Sequence, residues 1–124
     1  MKAQVYGIRN CDTVKKARAW LQAQDVALDF HDFRTEGLSR ERIDCWLGKV
    51  DWNVLVNRRG QTWRKLPEAK KSAIRDAASA AKLMLEWPTV IKRPVVETGS
   101  QLLIGFDAAR YASLFTHGKA GTRR

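Results

Sequence analysis

The sequence predicts an α/β fold in which a β-α-β unit and a β-β-α unit flank a block of helices. Three observations lead to this prediction. The first 33 residues contain a short apolar run, a helical period and an aromatic-rich alternating run. Residues 38–87 carry helical spacing only, and two further apolar runs separated by Gly-Ser precede a last amphipathic segment.

The first three elements form the β-α-β unit. Residues 2–7 contain the apolar run that we interpret as the first strand, and Asp12 or Thr13 can cap the helix that follows. Apolar side chains at helical spacing continue to a predicted end near residues 24–25. Residues 26–33 alternate between apolar and polar side chains, which predicts a second strand parallel to the first.

The middle of the chain is predicted to be helical from residue 38 to residue 87. A loop over residues 35–39 ends with Ser39, which can cap a helix with an apolar stripe at Ile43, Trp46, Leu47 and Val50. Three further helices are expected, over residues 51–56, over residues 68–76 after Pro67, and over residues 80–85 with Ser79 as the cap. No strand is predicted in this block.

Strand patterns return near the end of the chain. Residues 95–98 and 101–106 flank Gly99-Ser100, and a two-residue turn that begins with Gly is typical of a β-hairpin. Asp107 can cap a last helix with an apolar face at Ala108, Tyr111, Ala112 and Phe115.

This order of elements is that of a thioredoxin-like fold with a helical insertion over about residues 38–87. With 124 residues, the chain suits one domain, which we place at residues 1–116. The remaining residues 117–124 have no periodicity and are expected to form a flexible basic tail.

The composition restricts the classes of partner. The net charge of +10 favours anionic ligands, while no apolar run approaches the roughly 20 residues that a membrane span requires. The N-terminus lacks the apolar core of a secretory signal, so we expect a soluble, cytoplasmic monomer with reduced cysteines. Two Cys and two His without short ligand spacing do not favour a metal site, and no nucleic-acid-binding motif is present.

Cys11 is the strongest candidate for a reactive group because it lies between the first strand and the first helix. Backbone N–H groups at a helix N-terminus stabilise a thiolate, and Lys15 adds positive charge nearby. Val14 occupies the position where a dithiol motif would have its second cysteine, so turnover would need an external thiol. Cys45 lies off the apolar stripe of its helix, and we interpret it as incidental.

Three arginines are candidates for anion binding. Arg93 precedes Pro94 at the start of a predicted strand, where a cis peptide is compatible with the pattern and a guanidinium could bind a carboxylate bidentately. Arg58 and Arg59 lie in a basic loop near an aromatic residue, and they could either bind an anion or form a solvated surface. His31 is expected to be a hydrogen-bonded histidine of the core rather than a catalytic base.

Three motifs together give a resemblance to a known family. They are the segment Tyr6–Thr13 around Cys11, the segment Arg58–Leu66, and the segment Ile91–Val96 around Arg93-Pro94. With these motifs the chain resembles the ArsC (arsenate reductase)/Spx family and, within it, the YffB-like subgroup. The resemblance implies a thioredoxin-like fold, Cys11 as the catalytic thiol, and a cis-proline after Arg93.

The resemblance also implies a glutathione-dependent thiol reductase, with glutathione as co-substrate, glutaredoxin as a candidate partner and no tightly bound cofactor. Arsenate reductases of the family have a histidine where this chain has Gly7, and their third arginine has no counterpart in residues 103–105. A weak arsenate reductase is therefore one alternative. The other is an Spx-like protein, without the Cys-X-X-Cys switch, that docks on an acidic partner such as RNA polymerase.

We assign the catalytic role to Cys11. Substrate binding is assigned to a set of residues from the three motifs and the first helical turn, namely Arg93, Pro94, Arg58, Arg59, Asn10 and Lys15.

Overall fold

The computed structural model describes residues 2–116, so the predicted tail at 117–124 lies outside the described residues. Its elements in chain order are β1 (Lys2–Gly7), α1 (Asp12–Ala23), β2 (Ala27–Asp32), α2 (Phe33–Glu36), α3 (Arg40–Leu47), α4 (Trp52–Leu55), α5 (Gln61–Lys65), α6 (Glu68–Ser72), α7 (Ala77–Glu86), β3 (Val95–Thr98), β4 (Gln101–Ile104) and α8 (Ala108–Tyr111). A 3₁₀ turn, Pro88–Val90, precedes β3, and a π-helical segment, Ala112–Thr116, follows α8.

The chain divides into two compact units. Within the described residues, the sheet unit contains those up to His31 and those from Arg93 onward, and the helical unit is Asp32–Lys92. The helical unit thus extends several residues beyond both ends of the predicted insertion at 38–87.

The sheet unit has four strands in the order β2-β1-β3-β4. Strands β1 and β3 are antiparallel with Tyr6 opposite Val95, and β3 and β4 form the predicted hairpin. Gly99 begins the two-residue turn with a φ of 57°, a conformation that glycine adopts without steric cost. Contacts between β1 and β2 advance in the same direction on both strands, from Lys2–Asp29 to Tyr6–His31, as in a parallel pair.

The core of the sheet unit joins β1, α1 and the C-terminal hairpin and helix. Its buried members are Ala3, Val5, Ala17, Leu21, Val96, Leu103, Tyr111 and Phe115. The hydroxyl of Tyr111 donates to the carbonyl of Gly105 at 2.7 Å, and burial raises the pKa of Tyr111 well above its usual range. Ala108, predicted to share this apolar face, is exposed.

The helical unit is held together by buried side chains and by backbone pairing at its C-terminal end. Ile43 and Trp46 of the predicted α3 stripe are fully buried. The N–H of Asn57 donates to the carbonyl of Val90 at 2.8 Å, and the N–H of Lys92 donates to that of Leu55 at 2.7 Å. An isolated antiparallel bridge between Val56 and Ile91 lies between these two bonds, although no strand pairing was predicted for this block.

Side-chain caps account for two errors in the predicted boundaries. The first two residues of the predicted loop at 35–39 belong to helix α2 instead. The Asp32 carboxylate caps this helix by accepting from the N–H of Arg34. Helix α7 begins three residues before the predicted position, since Asp76 rather than Ser79 is the cap and Ser79 closes a reciprocal capping box.

The other differences concern the lengths of elements. Helix α5, over Gln61–Lys65, and the 3₁₀ turn were not predicted. Helix α6 ends at Ser72 instead of residue 76, β4 ends at Ile104 instead of residue 106, and β2 is shorter by one residue at each end.

The capping box at the start of α7 makes stability depend on pH. Hydrogen bonds from the backbone and hydroxyl of Ser79 hold the pKa of Asp76 below its usual range. The ionised carboxylate therefore stabilises the fold above about pH 4, and this contribution is lost as the pH falls through the lower pKa of the folded state. Asp76→Ala should lower the urea midpoint at pH 7, with a difference from wild type that narrows in acid.

Asp76→Asn serves as the matched variant because an amide oxygen can cap the helix but cannot titrate. Its midpoint at pH 7 should lie closer to that of the wild type than the midpoint of Asp76→Ala does. A wild-type-to-alanine difference that stays constant from pH 7 to pH 3 would show that the charge of Asp76 does not contribute.

Candidate functional site

Cys11 lies at the junction of β1 and α1, where it is the N-cap residue of a 12-residue helix. Its backbone is extended, with φ −89° and ψ 125°, and its carbonyl accepts the first helical hydrogen bond, from the N–H of Lys15 at 3.0 Å. The N–H of Cys11 donates back to the carbonyl of Ile8 at 3.2 Å. These two bonds fix the half-buried cysteine at the positive end of the α1 dipole.

The first-turn N–H groups of α1 are the groups best placed to stabilise a negative charge on Cys11. Within the described residues, the Cys11 side chain makes no capping hydrogen bond to them. A neutral thiol is a weak acceptor, whereas a thiolate is an anion that these N–H groups favour. Cys11 thus occupies the capping position of α1 without using its side chain as a cap.

Gly7 and Val14 determine how closely α1 approaches β1 beside the cysteine. Both residues are buried, and a Cβ built on Gly7 would lie 2.7 Å from a Val14 methyl carbon, closer than such contacts allow. Val14 is the residue three positions after Cys11, so the position of a second dithiol cysteine is occupied by a valine that packs on the strand. The absence of a side chain at Gly7 is a packing requirement of this junction.

Arg93 and Pro94 lie at the same end of the sheet as Cys11. The Arg93–Pro94 peptide is cis, as the resemblance implied. Because Tyr6 pairs with Val95 in an antiparallel register, one further step places Pro94 opposite Gly7, four residues before the cysteine. The carbonyl of Pro94 accepts from the N–H of Gly105 at 2.8 Å, and Arg93 is half-buried with a buried Nε atom.

Asn10 and Lys15 flank the cysteine on the surface. Asn10 is exposed in the turn between β1 and α1, and Lys15 is exposed in the first full turn of the helix. The sheet unit therefore brings five predicted site residues to one end of the sheet: Cys11, Asn10, Lys15, Arg93 and Pro94.

Arg58 and Arg59 belong to the helical unit, and their guanidinium groups differ. The guanidinium of Arg58 donates to the amide oxygen of Asn53 at 2.7 Å and lies 5.2 Å and 5.8 Å from the ring centres of Trp52 and Trp63. The sequence indicated Trp63 but not Trp52 or Asn53, because these contacts depend on the fold of the 51–60 segment. Arg58 is thus held by its own unit.

Arg59 is exposed, and its guanidinium makes no hydrogen bond or ion pair with any of residues 2–116. The only bond involving its backbone N–H goes to the side chain of Asn57 at 3.1 Å. Of the two loop arginines, Arg59 has the uncommitted guanidinium.

Cys45 lies off the buried stripe of its helix, as predicted, whereas His31 is half-buried and, contrary to the prediction, does not belong to the core. Cys45 is exposed on α3, and neither cysteine is in a disulfide. His31 stacks on Tyr6 with ring centres 4.6 Å apart, and its Nε2 lies 2.7 Å from the side-chain oxygen of Gln4. His31 is therefore a hydrogen-bonded part of the sheet unit.

A four-stranded sheet in this order, with a helix that begins at a cysteine after the first strand, is a thioredoxin-like fold. The chain belongs to the ArsC family, whose family model matches residues 6–114. No helix within residues 2–116 is long and apolar enough to span a membrane.

Relatives with known structures share most of the chain. The structure of a YffB protein superposes with a TM-score of 0.87 at 47% identity, over 91% of this chain and 98% of that one. The structure of an arsenate reductase (ArsC) related protein from Brucella melitensis has a TM-score of 0.73 at 49% identity, over 93% and 95% of the two chains.

Comparison of sequences also finds relatives of two kinds. An uncharacterized protein of Haemophilus influenzae is 41% identical over 111 residues, which cover 90% of this chain and 96% of the relative. The global transcriptional regulator Spx of Streptococcus agalactiae is more distant, at 27% identity over 79% of this chain and 72% of the relative. The family therefore relates the chain both to arsenate reductases and to Spx regulators.

The contact between Gly7 and Val14 predicts a stability cost for any side chain at residue 7. Gly7→Ala should lower the free energy of unfolding by about 1–3 kcal/mol, because the methyl group overpacks a rigid, buried valine. Urea denaturation measures this cost, and in a Val14→Ala background the cost should be smaller, because the clashing methyl groups are gone.

Gly48→Ala is the control for inserting a methyl group elsewhere. Gly48 has helical φ and ψ, and the nearest atom to a built Cβ is 3.4 Å away, so this variant should be nearly neutral. If Gly7→Ala costs the same in both backgrounds, the two residues are not coupled.

Proposed function

We propose that this protein is a glutathione-dependent thiol–disulfide reductase in which Cys11 is the single nucleophile. The observation that carries the proposal is the place of Cys11 as the N-cap residue of α1. Membership of the ArsC family and the relationship to arsenate reductases support thiol-based reduction as the class of chemistry.

The reaction proceeds in two thiol–disulfide exchanges. The Cys11 thiolate attacks the glutathione sulfur of a mixed disulfide, RS–SG, so that a Cys11–SG bond forms and RS⁻ leaves to take up a proton. A second glutathione, as its thiolate, then attacks the Cys11–SG disulfide, releases GSSG and restores the Cys11 thiolate. The net reaction converts RSSG and GSH to RSH and GSSG, and it needs no second cysteine in the protein.

The helix N-terminus is the main source of thiolate stabilisation in this mechanism. Asp12 and Lys15 carry opposite charges beside Cys11, and both are exposed, so solvent and salt screen their effects. The backbone N–H groups of α1 are fixed in direction and act at close range.

The carboxylates of glutathione are proposed to bind cationic groups of the site motifs. Arg93 is the first candidate, because it is half-buried at the end of the sheet that carries Cys11. A guanidinium in that setting can bind a carboxylate bidentately. Asn10 and Lys15 supply exposed polar groups, while Pro94 immediately precedes β3. Arg59 is a further anion-binding candidate because Arg58 is already engaged.

Reduction of arsenate is the less favoured activity. A histidine at residue 7 would require a Cβ where Val14 packs, so the junction excludes the residue that arsenate reductases of the family have there. Residues 103–105 contain no arginine, which leaves one cation fewer for a multiply charged oxyanion. Val14 likewise occupies the position of the second cysteine of an Spx-type switch.

Turnover of a glutathione mixed disulfide tests the proposed function. With hydroxyethyl disulfide and glutathione, coupled to glutathione reductase and NADPH, the wild type should catalyse NADPH oxidation. Cys11→Ser should reduce the rate to that without protein, because serine at neutral pH is neither an effective nucleophile nor able to form a disulfide.

Cys45→Ser is the matched control and should leave the rate unchanged. Equal urea midpoints for both serine variants and the wild type would show that the loss concerns chemistry and not folding. Full activity in Cys11→Ser, or no activity in the wild type, would overturn the proposal.

A further inference from the structure

The helical unit has a surface groove whose lining residues all belong to that unit. The groove has a volume of about 860 Å³ and runs between α6 and α7. We call it the α6–α7 groove. Its lining includes the apolar side chains of Ile74, Leu83 and Leu85 and the charged side chains of Lys70, Lys82 and Glu86. It contains neither cysteine.

One large apolar side chain of the lining is exposed, and a second exposed one follows it closely in the chain. Leu85, in its lining, is 37% exposed, and Trp87, two residues further on, is 41% exposed. Among residues 2–116 the only other large apolar side chain of comparable exposure is Val54. Exposed apolar surface edged by polar groups is typical of a site that a partner covers.

The charges at the groove favour an anionic partner. Lys70 donates to the Glu86 carboxylate at 2.6 Å, and this bond, with smaller effects of a hydrogen bond from the Trp87 side chain and of the charge of Lys82, lowers the pKa of Glu86. The one carboxylate of the lining is therefore already paired. The ammonium group of Lys82 makes no hydrogen bond or salt bridge with the part of the chain described, and Lys82 is exposed.

We propose that the α6–α7 groove binds an acidic amphipathic helix of a partner protein. Helices bind grooves of this kind with apolar side chains at i, i+3, i+4 and i+7, which here would cover the exposed Leu85 and the half-buried Ile74. A carboxylate beside that apolar stripe would pair with Lys82. A second copy of this chain is disfavoured as the occupant, because two chains that each carry a net charge of +10 repel one another.

The proposal does not depend on the thiol chemistry, because all lining residues come from α6, α7 and the turn between them. It locates a binding surface that the sequence did not reveal.

Binding of a designed peptide tests the proposal. The probe is a fluorescein-labelled 14-residue helix with Leu at i, i+3, i+4 and i+7 and Glu beside them, and its anisotropy is measured with the full chain. The wild type should bind it, and Lys82→Glu should weaken binding by about tenfold or more, which corresponds to one lost charge pair together with the repulsion that replaces it. Lys49→Glu makes the same charge change outside the groove and should have little effect.

A second pair of variants tests the apolar contact. Leu85→Asn should weaken peptide binding, whereas Val54→Asn, which changes an exposed apolar residue outside the groove, should not. Cys11→Ser should bind the peptide as the wild type does, which separates this result from the outcome of the turnover experiment.

Four results would overturn the proposal. They are no binding of the probe, equal loss in Lys82→Glu and Lys49→Glu, equal binding of a scrambled peptide of the same composition, and self-association of the chain that Leu85→Asn abolishes. An equal loss of binding in the two lysine variants, or equal binding of the scrambled peptide, would mean that the peptide is held by general charge attraction. Self-association that Leu85→Asn abolishes would mean that the groove joins two copies of the chain.

Discussion

The close packing of α1 on β1 is the constraint on which the proposed chemistry depends. Val14 contacts the strand where Gly7 has no side chain, and the N–H of Cys11 bonds the carbonyl of Ile8. Together these contacts fix where α1 begins and make Cys11 its N-cap residue. A bulkier residue 7 would push the helix away from the strand, and the first-turn N–H groups would move with it.

The same packing determines what kind of thiol chemistry is available. Because Val14 is buried against the strand, the helix offers Cys11 no second thiol, and Cys45 belongs to the helical unit. The proposed reaction therefore requires reducing equivalents from an external thiol. This requirement agrees with a basic chain whose cationic groups can bind the carboxylates of such a thiol.

Local patterns allowed the sequence to predict β1, α1 and the hairpin, because each is specified by its own apolar spacing and turn residues. The sequence did not predict the short helices α2 and α5. Helix α2 depends on the Asp32 side-chain cap, and α5 has neither a side-chain cap nor a buried residue that would give it an apolar period. Cys11 could be placed from its position between strand and helix. The contacts of the Arg58 guanidinium with Asn53 and two tryptophans could not be predicted, because these side chains meet only in the folded chain.

We propose that the backbone of α1, and not solvent exposure, makes Cys11 the reactive thiol. Competitive alkylation of the folded protein with limiting iodoacetamide at pH 7, quantified by mass spectrometry of the two cysteine peptides, compares Cys11 with the more exposed Cys45 in one molecule. We expect Cys11 to be alkylated faster, with the difference lost in urea. Faster or equal alkylation of Cys45 in the folded protein would contradict the claim.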